Sequence, residues 1–268
     1  MNKPTYSLNS SSGINLTSQN LYGLKIIKNL FHSHPKKAAY KLRKLVRDFD
    51  QSDILCLQEV NPYSLQLLTR YLNFPYKHQY GTQGALLLSK YGFIDKGSIP
   101  FSNQTNSCVW ADIQLKEDTI RMFCLHLQSN RVSKTAEEIQ EEDLSESGTW
   151  RRILSMFRSY KDYSQYRAEE VEKVRKAVNS SPNPVIIAGD FNDQPLSYAY
   201  HILSKNMQDV FIEKGLGPGS TYRGAMPFLR IDYILADTNF SVQTMQLIQN
   251  NISDHNMIQT QLSLDTNH

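Results

Sequence analysis

The 268-residue sequence contains only three cysteines and has no long hydrophobic run. The number of cysteines is odd, and each of them lies in an apolar or alternating stretch: Cys56, Cys108 and Cys124. We therefore predict reduced core residues in a reducing compartment. No segment approaches the roughly 20 consecutive apolar residues of a membrane helix, and no N-terminal stretch has the features of a signal peptide. We predict a cytoplasmic protein without obligatory membrane association.

The sequence also lacks a strong excess of charge of either sign. Its 29 Lys and Arg residues and 26 Asp and Glu residues give a formal net charge of +3, which permits a phosphate-bearing partner but does not require one. Hydrophobic residues make up 40% of the chain, enough for a sizeable core. Because no repeat or linker is visible, we predict a flexible lead-in at residues 1–13 and a single domain at residues 14–264. We favour a monomer.

Strand-like runs outnumber helical patterns, and pairs of strands alternate with helices. Helical spacing of apolar residues is found at 35–49, 62–72 and 196–205, and an inserted helical segment is predicted at 132–180. Strand patterns are found at 53–60, 84–89, 107–115, 119–129, 185–190, 230–236, 241–248 and 256–263. This order favours one α/β domain in which two sheets pack face to face and the helices lie outside.

Polar residues lie at or near the ends of six strand-like runs, one of which is a further possible strand at 14–24. They are Asn20, Glu59, His126, the pair Asp190 and Asn192, Asp232, and the pair Asp254 and His255. Side chains at strand ends are held in place by the rigid sheet. Their types suit metal-assisted phosphoester hydrolysis, because Mg²⁺ or Mn²⁺ prefers oxygen ligands from one or two carboxylates.

Each residue type has a place in that chemistry. Glu59 can supply a carboxylate to the metal, and Asp190 can act as the base that activates water. Three side chains can donate to the oxygens of the pentavalent phosphorane: Asn192, His126 and His255. A histidine that must stay protonated needs a carboxylate behind it, and Asp232 can serve.

Each residue also has a purely structural interpretation. An Asp-x-Asn sequence after a glycine is usually a turn, so Asp190 and Asn192 alone favour that interpretation. Glu59 could cap the helix that begins at Pro62, and His126 could be an ordinary strand residue. The Lys-, Arg- and Tyr-rich stretch 149–178 is most simply a solvated helix face.

Five motifs resemble those of the endonuclease/exonuclease/phosphatase superfamily, the deoxyribonuclease I-like proteins. They are LCLQEV, LHLQS, GDFND, RIDYIL and SDH, in this order between residues 55 and 255. Each motif is weak alone, whereas five in order are specific, and the likeness is greatest to stand-alone bacterial members. The resemblance implies a four-layer αββα sandwich of two mixed, mostly antiparallel sheets packed face to face, with helices outside and the site at one edge.

The resemblance also implies roles. It places Asn20, Glu59 and Asp254 on the metal side. It assigns contact with the phosphate or leaving group to His126, water activation to Asp190, phosphate orientation to Asn192, positioning of the final histidine to Asp232, and transition-state stabilisation to His255. One position departs from the pattern of some abasic-site endonucleases, because Tyr22 replaces a carboxylate two residues after Asn20. That branch is therefore disfavoured.

For the substrate we rank a nucleic acid first, which makes the protein a nuclease. Phosphate binding and base stacking could come from the inserted segment, through Arg151, Arg152, Arg158, Tyr160, Tyr163 and Arg167, and from Tyr222. A lipid or inositol-type phosphohydrolase is the alternative, with residues 224–229 as a short membrane-contact loop. A third possibility is a catalytically silent scaffold that binds a partner through residues 132–178.

Overall fold

The computed structural model describes residues 13–102, 106–129, 146–224 and 228–265, and it describes the side chains of the helix that begins at residue 146 only from residue 161 onward. Most of the predicted lead-in, residues 130–145 of the inserted segment and residues 225–227 therefore lie outside the described part. Among the described residues, no helix is both long enough and apolar enough to cross a membrane.

The first sheet has six strands in the order β11-β12-β1-β2-β4-β3. Its strands are β1 (Ile14–Asn20), β2 (Ile54–Gln58), β3 (Tyr76–Gln79), β4 (Leu86–Ser89), β11 (Phe240–Ile248) and β12 (Met257–Leu264). The central strands β1 and β2 run parallel, and the other neighbours are antiparallel. The ends of β1 and β2 therefore lie at one edge of the sheet, and the start of β12 lies there too.

The second sheet also has six strands, in the order β5-β6-β7-β8-β10-β9. Its strands are β5 (Phe93–Pro100), β6 (Ser107–Gln114), β7 (Thr119–His126), β8 (Val185–Asp190), β9 (Met207–Asp209) and β10 (Asp232–Asp237). Here β7 and β8 are the parallel pair, and His126 lies beside Asp190 at their ends. Asp232, at the start of antiparallel β10, lies on the other side of Asp190.

The helices cover the outer faces of the two sheets. They are α1 (Lys25–Ser33), α2 (Pro35–Asp50), α3 (Pro62–Tyr71), α4 (Glu146–Asn179), α5 (Tyr198–Ser204) and α6 (Val210–Lys214). One apolar cluster fills the space between the sheets, a second joins α1, α2 and α3 to the first sheet, and a third joins α4 and α5 to the second. The predicted αββα sandwich is confirmed.

Strands β2 and β8 are apolar up to their last residues because they are buried on both faces. In β2, Ile54 points into the cluster between the sheets and Leu55 into the cluster with the helices. Ile186 and Ile187 of β8 divide in the same way. These strands are rigid supports for the polar residues that follow them.

The prediction of three reduced cysteines is wrong for two of them. Cys56 of β2 and Cys124 of β7 form a disulfide across the space between the sheets. Both side chains point into that space from facing strands, a proximity that their sequence separation of 68 positions does not reveal. Cys108 is free, and burial raises the pKa of its thiol.

Candidate active site

Asp190, at the end of β8, is the centre of the polar cluster. Its side chain is buried, and its Oδ2 accepts a hydrogen bond from Asn20 Nδ2 at 2.9 Å. The Nε2 atoms of His126 and His255 lie 3.8 and 3.9 Å from the same oxygen. Gly189 allows this approach, because its φ is +147° and an added Cβ would collide with the carbonyl of Leu125 on β7. Three predicted site residues thus converge on Asp190.

His255 is held by a carboxylate on its far side. Its Nδ1 lies 2.8 Å from Asp232 Oδ2 and 3.1 Å from Oδ1. Thr221 Oγ1 fixes the start of β10 by accepting hydrogen bonds from the backbone of Ile231 and Asp232 at 2.9 and 3.0 Å. The ring of Tyr222 meets the His255 ring edge-on, with centroids 5.2 Å apart. The imidazole therefore has one orientation, with Nε2 toward Asp190.

The charges of this cluster are coupled. Burial lowers the pKa of His255, but the carboxylates of Asp232 and Asp190 outweigh it and raise the pKa to about 10. Burial first, and then the Asp232 carboxylate, raise the pKa of Asp190, while His255, His126 and Asn20 oppose the rise. The raised pKa favours the imidazolium form of His255, which carries a proton on each ring nitrogen. Ligand atoms of Asp190, Asp232 and His255 also lie within 4.8 Å of one another, and His255 could bind a metal ion here only by releasing a proton.

The carboxylates suited to a cation lie on the other side of Asn20. Glu59 is half-buried, with a backbone φ of 54°, and its Oε1 accepts a hydrogen bond from Asn20 Nδ2 at 3.2 Å. Asp254 is also half-buried, and Ser253 Oγ joins it to β1 by donating to the backbone carbonyl of Asn20 at 2.7 Å. Two partly solvated carboxylates beside a buried polar group fit a hard divalent cation such as Mg²⁺.

Two details refine the predicted metal side. Asn20 Oδ1 accepts from the backbone of Tyr22 at 2.9 Å, so the amide presents its nitrogen to the carboxylates and acts here as a donor rather than as an oxygen ligand. The helix-cap interpretation of Glu59 is wrong, because Asn61 caps α3 by accepting from Ser64 N at 2.9 Å. The strained backbone of Glu59 therefore has no role in starting α3.

His126 is the last residue of β7, and Asn192 lies in the loop after β8. His126 is buried, and both of its ring nitrogens lack a hydrogen-bond partner among the described residues. Such unsatisfied buried groups are costly and need an explanation, often a missing ligand. Asn192 has a φ of 52°, and its Nδ2 donates to the carbonyl of Leu127 at 3.0 Å, which ties the loop after β8 to the end of β7.

A buried ion pair supports this loop from behind. Arg167 of α4 is fully buried and donates from Nε to Asp193 Oδ2 at 2.9 Å and from Nη1 to the carbonyl of Gln128 at 3.2 Å. Glu170 accepts from the backbone of Gln128 at 2.8 Å, and burial raises the pKa of this glutamate to about 7. The prediction that Arg167 lines a substrate groove is wrong, because its side chain is fully buried against Asp193 and Gln128.

The other predicted substrate contacts have different outcomes. Arg151, Arg152, Arg158 and Tyr160 belong to α4, but their side chains lie outside the described residues. Tyr163 is half-buried on the same helix, and Tyr222 is buried against His255. A substrate contact by any of these side chains stays a prediction.

Comparison with known families decides where the chain belongs. The model of the Endonuclease/Exonuclease/phosphatase family matches residues 17–255. The chain belongs to this family. Members of the family hydrolyse phosphoesters and typically depend on a divalent metal. The five motifs of the sequence thus identified the family correctly. No curated protein matches the chain significantly.

Solved structures of the endonuclease/exonuclease/phosphatase type share this fold at low sequence identity. A humanized variant of D. rerio TDP2 has a TM-score of 0.69 and D. rerio TDP2 with a single strand DNA product has 0.65; both are 19% identical and cover 94% of this chain and 100% of theirs. An endonuclease/exonuclease/phosphatase from Bacteroides vulgatus has a TM-score of 0.68 at 16% identity, and the match covers 95% of this chain and 100% of that chain. A Bacteroides thetaiotaomicron mannosyl-6-phosphatase has a TM-score of 0.66 at 15% identity, and the match covers 94% of this chain and 100% of that chain.

Proposed function

We propose that this protein is a Mg²⁺- or Mn²⁺-dependent phosphodiesterase that cleaves nucleic acid. The observation that carries the proposal is the convergence of two histidines on one buried carboxylate. Nε2 of His126 and Nε2 of His255 lie within 3.9 Å of Asp190 Oδ2, and His126 has no hydrogen-bond partner of its own among the described residues. A phosphate beside Asp190 would satisfy these nitrogens.

Asp190 is the base in the proposed reaction. A water oxygen attacks phosphorus, its proton passes to Asp190 Oδ2, and the bond from phosphorus to the leaving oxygen breaks. Burial raises the pKa of Asp190, which brings the carboxylate closer to the range in which a general base is effective.

The two histidines divide the donor roles. The His255 imidazolium, kept charged by Asp232, donates to a non-bridging phosphoryl oxygen. His126 contacts the phosphate and can protonate the leaving oxygen, while Asn192 orients the phosphoryl group. Glu59 and Asp254 would hold the divalent ion, which when bound supplies Lewis-acid stabilisation of the developing charge.

A nucleic acid is the substrate that we rank first. The basic excess of the chain suits a polyanion, and D. rerio TDP2, which has the same fold, binds a single strand DNA product. The mannosyl-6-phosphatase shows that this fold also serves a sugar phosphate, so a monoester belongs in the test.

The test is a metal-dependent hydrolysis screen. Substrates would be single- and double-stranded DNA, RNA, a chromogenic diester, sphingomyelin, phosphoinositides and mannose 6-phosphate, with Mg²⁺, with Mn²⁺ and with chelator. We expect DNA or RNA cleavage that Asp190→Asn and His255→Gln reduce by about 10²–10⁴-fold, while Asp162→Asn, at an exposed position on α4, leaves it unchanged. Hydrolysis of the monoester alone would refute the nuclease. If no substrate is hydrolysed and neither metal stabilises the protein, the scaffold function is favoured.

A further inference from the structure

One segment carries far more positive charge than the rest of the chain. Residues 25–47, which form α1 and most of α2 and are called here the basic hairpin, contain eight Lys and Arg residues and no Asp or Glu. Outside the basic hairpin, the remaining 21 Lys and Arg are outnumbered by all 26 Asp and Glu. The net positive charge of the protein is therefore concentrated on one helical layer.

The charges of the basic hairpin face outward. Its apolar side chains, among them Ile27, Leu42 and Leu45, pack on the first sheet. Six of its basic residues are exposed and two are half-buried: Lys25, Lys28, Lys36, Lys37, Arg43 and Arg47, then Lys41 and Lys44. None of the ion pairs found among the described residues includes a member of this segment. Asp48, the next residue of α2, lies near Lys44 and Arg47, so the positive charge without an acidic neighbour on these helices lies on α1 and the first part of α2.

The basic hairpin reaches the active site at its first residue. Lys25 Nζ lies 4.1 Å from the ring centroid of Tyr22, a tyrosine that is 36% exposed. The backbone of Tyr22 donates to Asn20 Oδ1, and the next residue, Gly23, donates to the carbonyl of Glu59 at 3.1 Å. An exposed ring and an ammonium group therefore sit on a turn fixed to the proposed metal side.

A second connection joins α2 to the catalytic loop. Lys41 Nζ donates to the carbonyl of Asn251 at 2.6 Å. Arg223 donates to Asn251 Oδ1 at 3.0 Å and to the carbonyl of Ser253 at 2.6 Å, two residues before His255. Burial, Lys37 and Arg223 together lower the pKa of Lys41, which reflects like charges gathered at this point. Positive charge thus continues from α2 to the loop that carries Asp254.

We propose that the basic hairpin, extended by Arg223, binds the phosphate backbone of a nucleic acid whose scissile phosphate lies at Asp190. This inference rests on the proposed function and names the surface that the polymer would follow. It places that surface on α1 and α2 rather than on the segment 149–178 indicated by the sequence. A polymer with regularly spaced phosphates matches a row of unpaired cations that begins beside the cleft.

A membrane surface suits the basic hairpin less well. Peripheral membrane helices pair their basic face with exposed apolar side chains that enter the lipid. Tyr40, 64% exposed, is the one large hydrophobic residue that the basic hairpin exposes. An aromatic ring among lysines and arginines is instead typical of single-strand binding surfaces, where bases stack on rings.

The test compares two triple variants of equal charge. The first is Lys28→Gln, Lys36→Gln and Lys37→Gln in the basic hairpin, at exposed positions away from the turn at Tyr22. The control is Lys173→Gln, Lys176→Gln and Lys205→Gln, at exposed positions on α4 and just after α5. Binding of a fluorescent oligothymidylate is measured in an Asp190→Asn background across about 50 to 200 mM salt, so that no hydrolysis is required.

We expect the hairpin triple to weaken binding by about tenfold or more at low salt and to lower the slope of log K against log salt by about two. The control triple should match the parent protein. Equal affinity and slope in both triples would overturn the proposal. Tighter binding to phosphatidylserine vesicles than to the oligonucleotide, lost in the hairpin triple, would overturn it in favour of a membrane.

Hydrolysis assays test the binding surface and the phosphodiesterase activity independently. With Asp190 intact, the hairpin triple should raise KM for a long oligonucleotide while kcat, and cleavage of a dinucleotide, stay unchanged. If the protein cleaves no diester, the phosphodiesterase is refuted. If the hairpin triple of that protein still loses oligonucleotide binding, the proposed binding surface is supported. Cleavage of long and short substrates that both triples leave unaffected would refute the surface alone.

Discussion

Asp232 Oδ2 lies 2.8 Å from His255 Nδ1, on the side of the ring opposite Asp190. The two carboxylates therefore hold one imidazolium between them, and the charge of His255 depends on both. In the proposed reaction the two aspartates, which are similarly buried, have different roles: Asp190 accepts the proton of the attacking water, and Asp232 keeps the His255 imidazole charged.

The first prediction concerns pH and stability without metal. His255 has a pKa of about 10 in the folded protein, above its ordinary 6.5. Its stabilising contribution is therefore complete below about pH 6.5 and is lost as pH rises through 10. We expect Asp232→Asn to destabilise the protein most at neutral pH and below and to flatten the dependence of Tm on pH across this window. Thermal melts in chelator would show it, with Asp162→Asn as control. Parallel profiles for Asp232→Asn and the parent would contradict the coupling.

The second prediction concerns His126, whose ring nitrogens lack partners among the described residues. Replacing a buried unsatisfied polar group by an apolar one of similar size removes a cost of about 1–3 kcal/mol. We expect His126→Leu to keep or raise the free energy of unfolding while activity falls by about 10²–10⁴-fold. Urea unfolding and hydrolysis assays on the same preparation test both parts. A strongly destabilised His126→Leu protein would show that the ring has a structural partner.

The third prediction concerns the ion pair between Arg167 and Asp193. Removing one member of a buried pair leaves an uncompensated charge and costs about 3–5 kcal/mol. We expect Asp193→Ala to destabilise by this amount, and the double variant Arg167→Met with Asp193→Leu to recover most of it. The partly exposed pair of Arg121 and Asp112 is the comparison, where Asp112→Ala should cost less. Denaturant unfolding measures all three, and additive losses in the double variant would contradict the prediction.

The fourth prediction concerns the metal side. A ligand that binds only the folded state stabilises it by RT ln(1 + [L]/Kd). We expect Mg²⁺ or Mn²⁺ to raise the Tm of the parent protein and Glu59→Gln to abolish most of that rise. The control is Glu117→Gln, at an exposed position between β6 and β7. An unchanged metal response in Glu59→Gln would remove Glu59 from the metal site.

The sequence was most informative where burial is continuous. The apolar runs of β2 and β8 and the helical spacing of α2 were visible because each has a complete buried face. The residues that end such runs were correctly placed at one edge, because strand ends and their loops fix side chains near the sheet. In contrast, β3 has no fully buried residue, and this edge strand leaves no periodic signal.

Contacts between residues far apart in the chain could not be predicted from the sequence. Nothing local distinguishes Cys56 and Cys124 from unpaired core cysteines, and the basic helical residue Arg167 gave no sign that it would be buried. The Arg-Ala-Glu-Glu stretch at 167–170 is the one local hint, because Arg167 and Glu170 are three residues apart and share a helix face. Which face is buried depends on where the loops after β7 and β8 lie.

The position of β1 between β12 and β2 has a consequence for biosynthesis. Ile14 pairs with Leu262, and Ser253 reaches Asn20 across 233 residues of sequence. A nascent chain that lacks its last strands has β1 unpaired along one edge and has no His255. The proposed active site is therefore complete only after β12 has closed the first sheet, and an unfinished chain carries the earlier family motifs without His255.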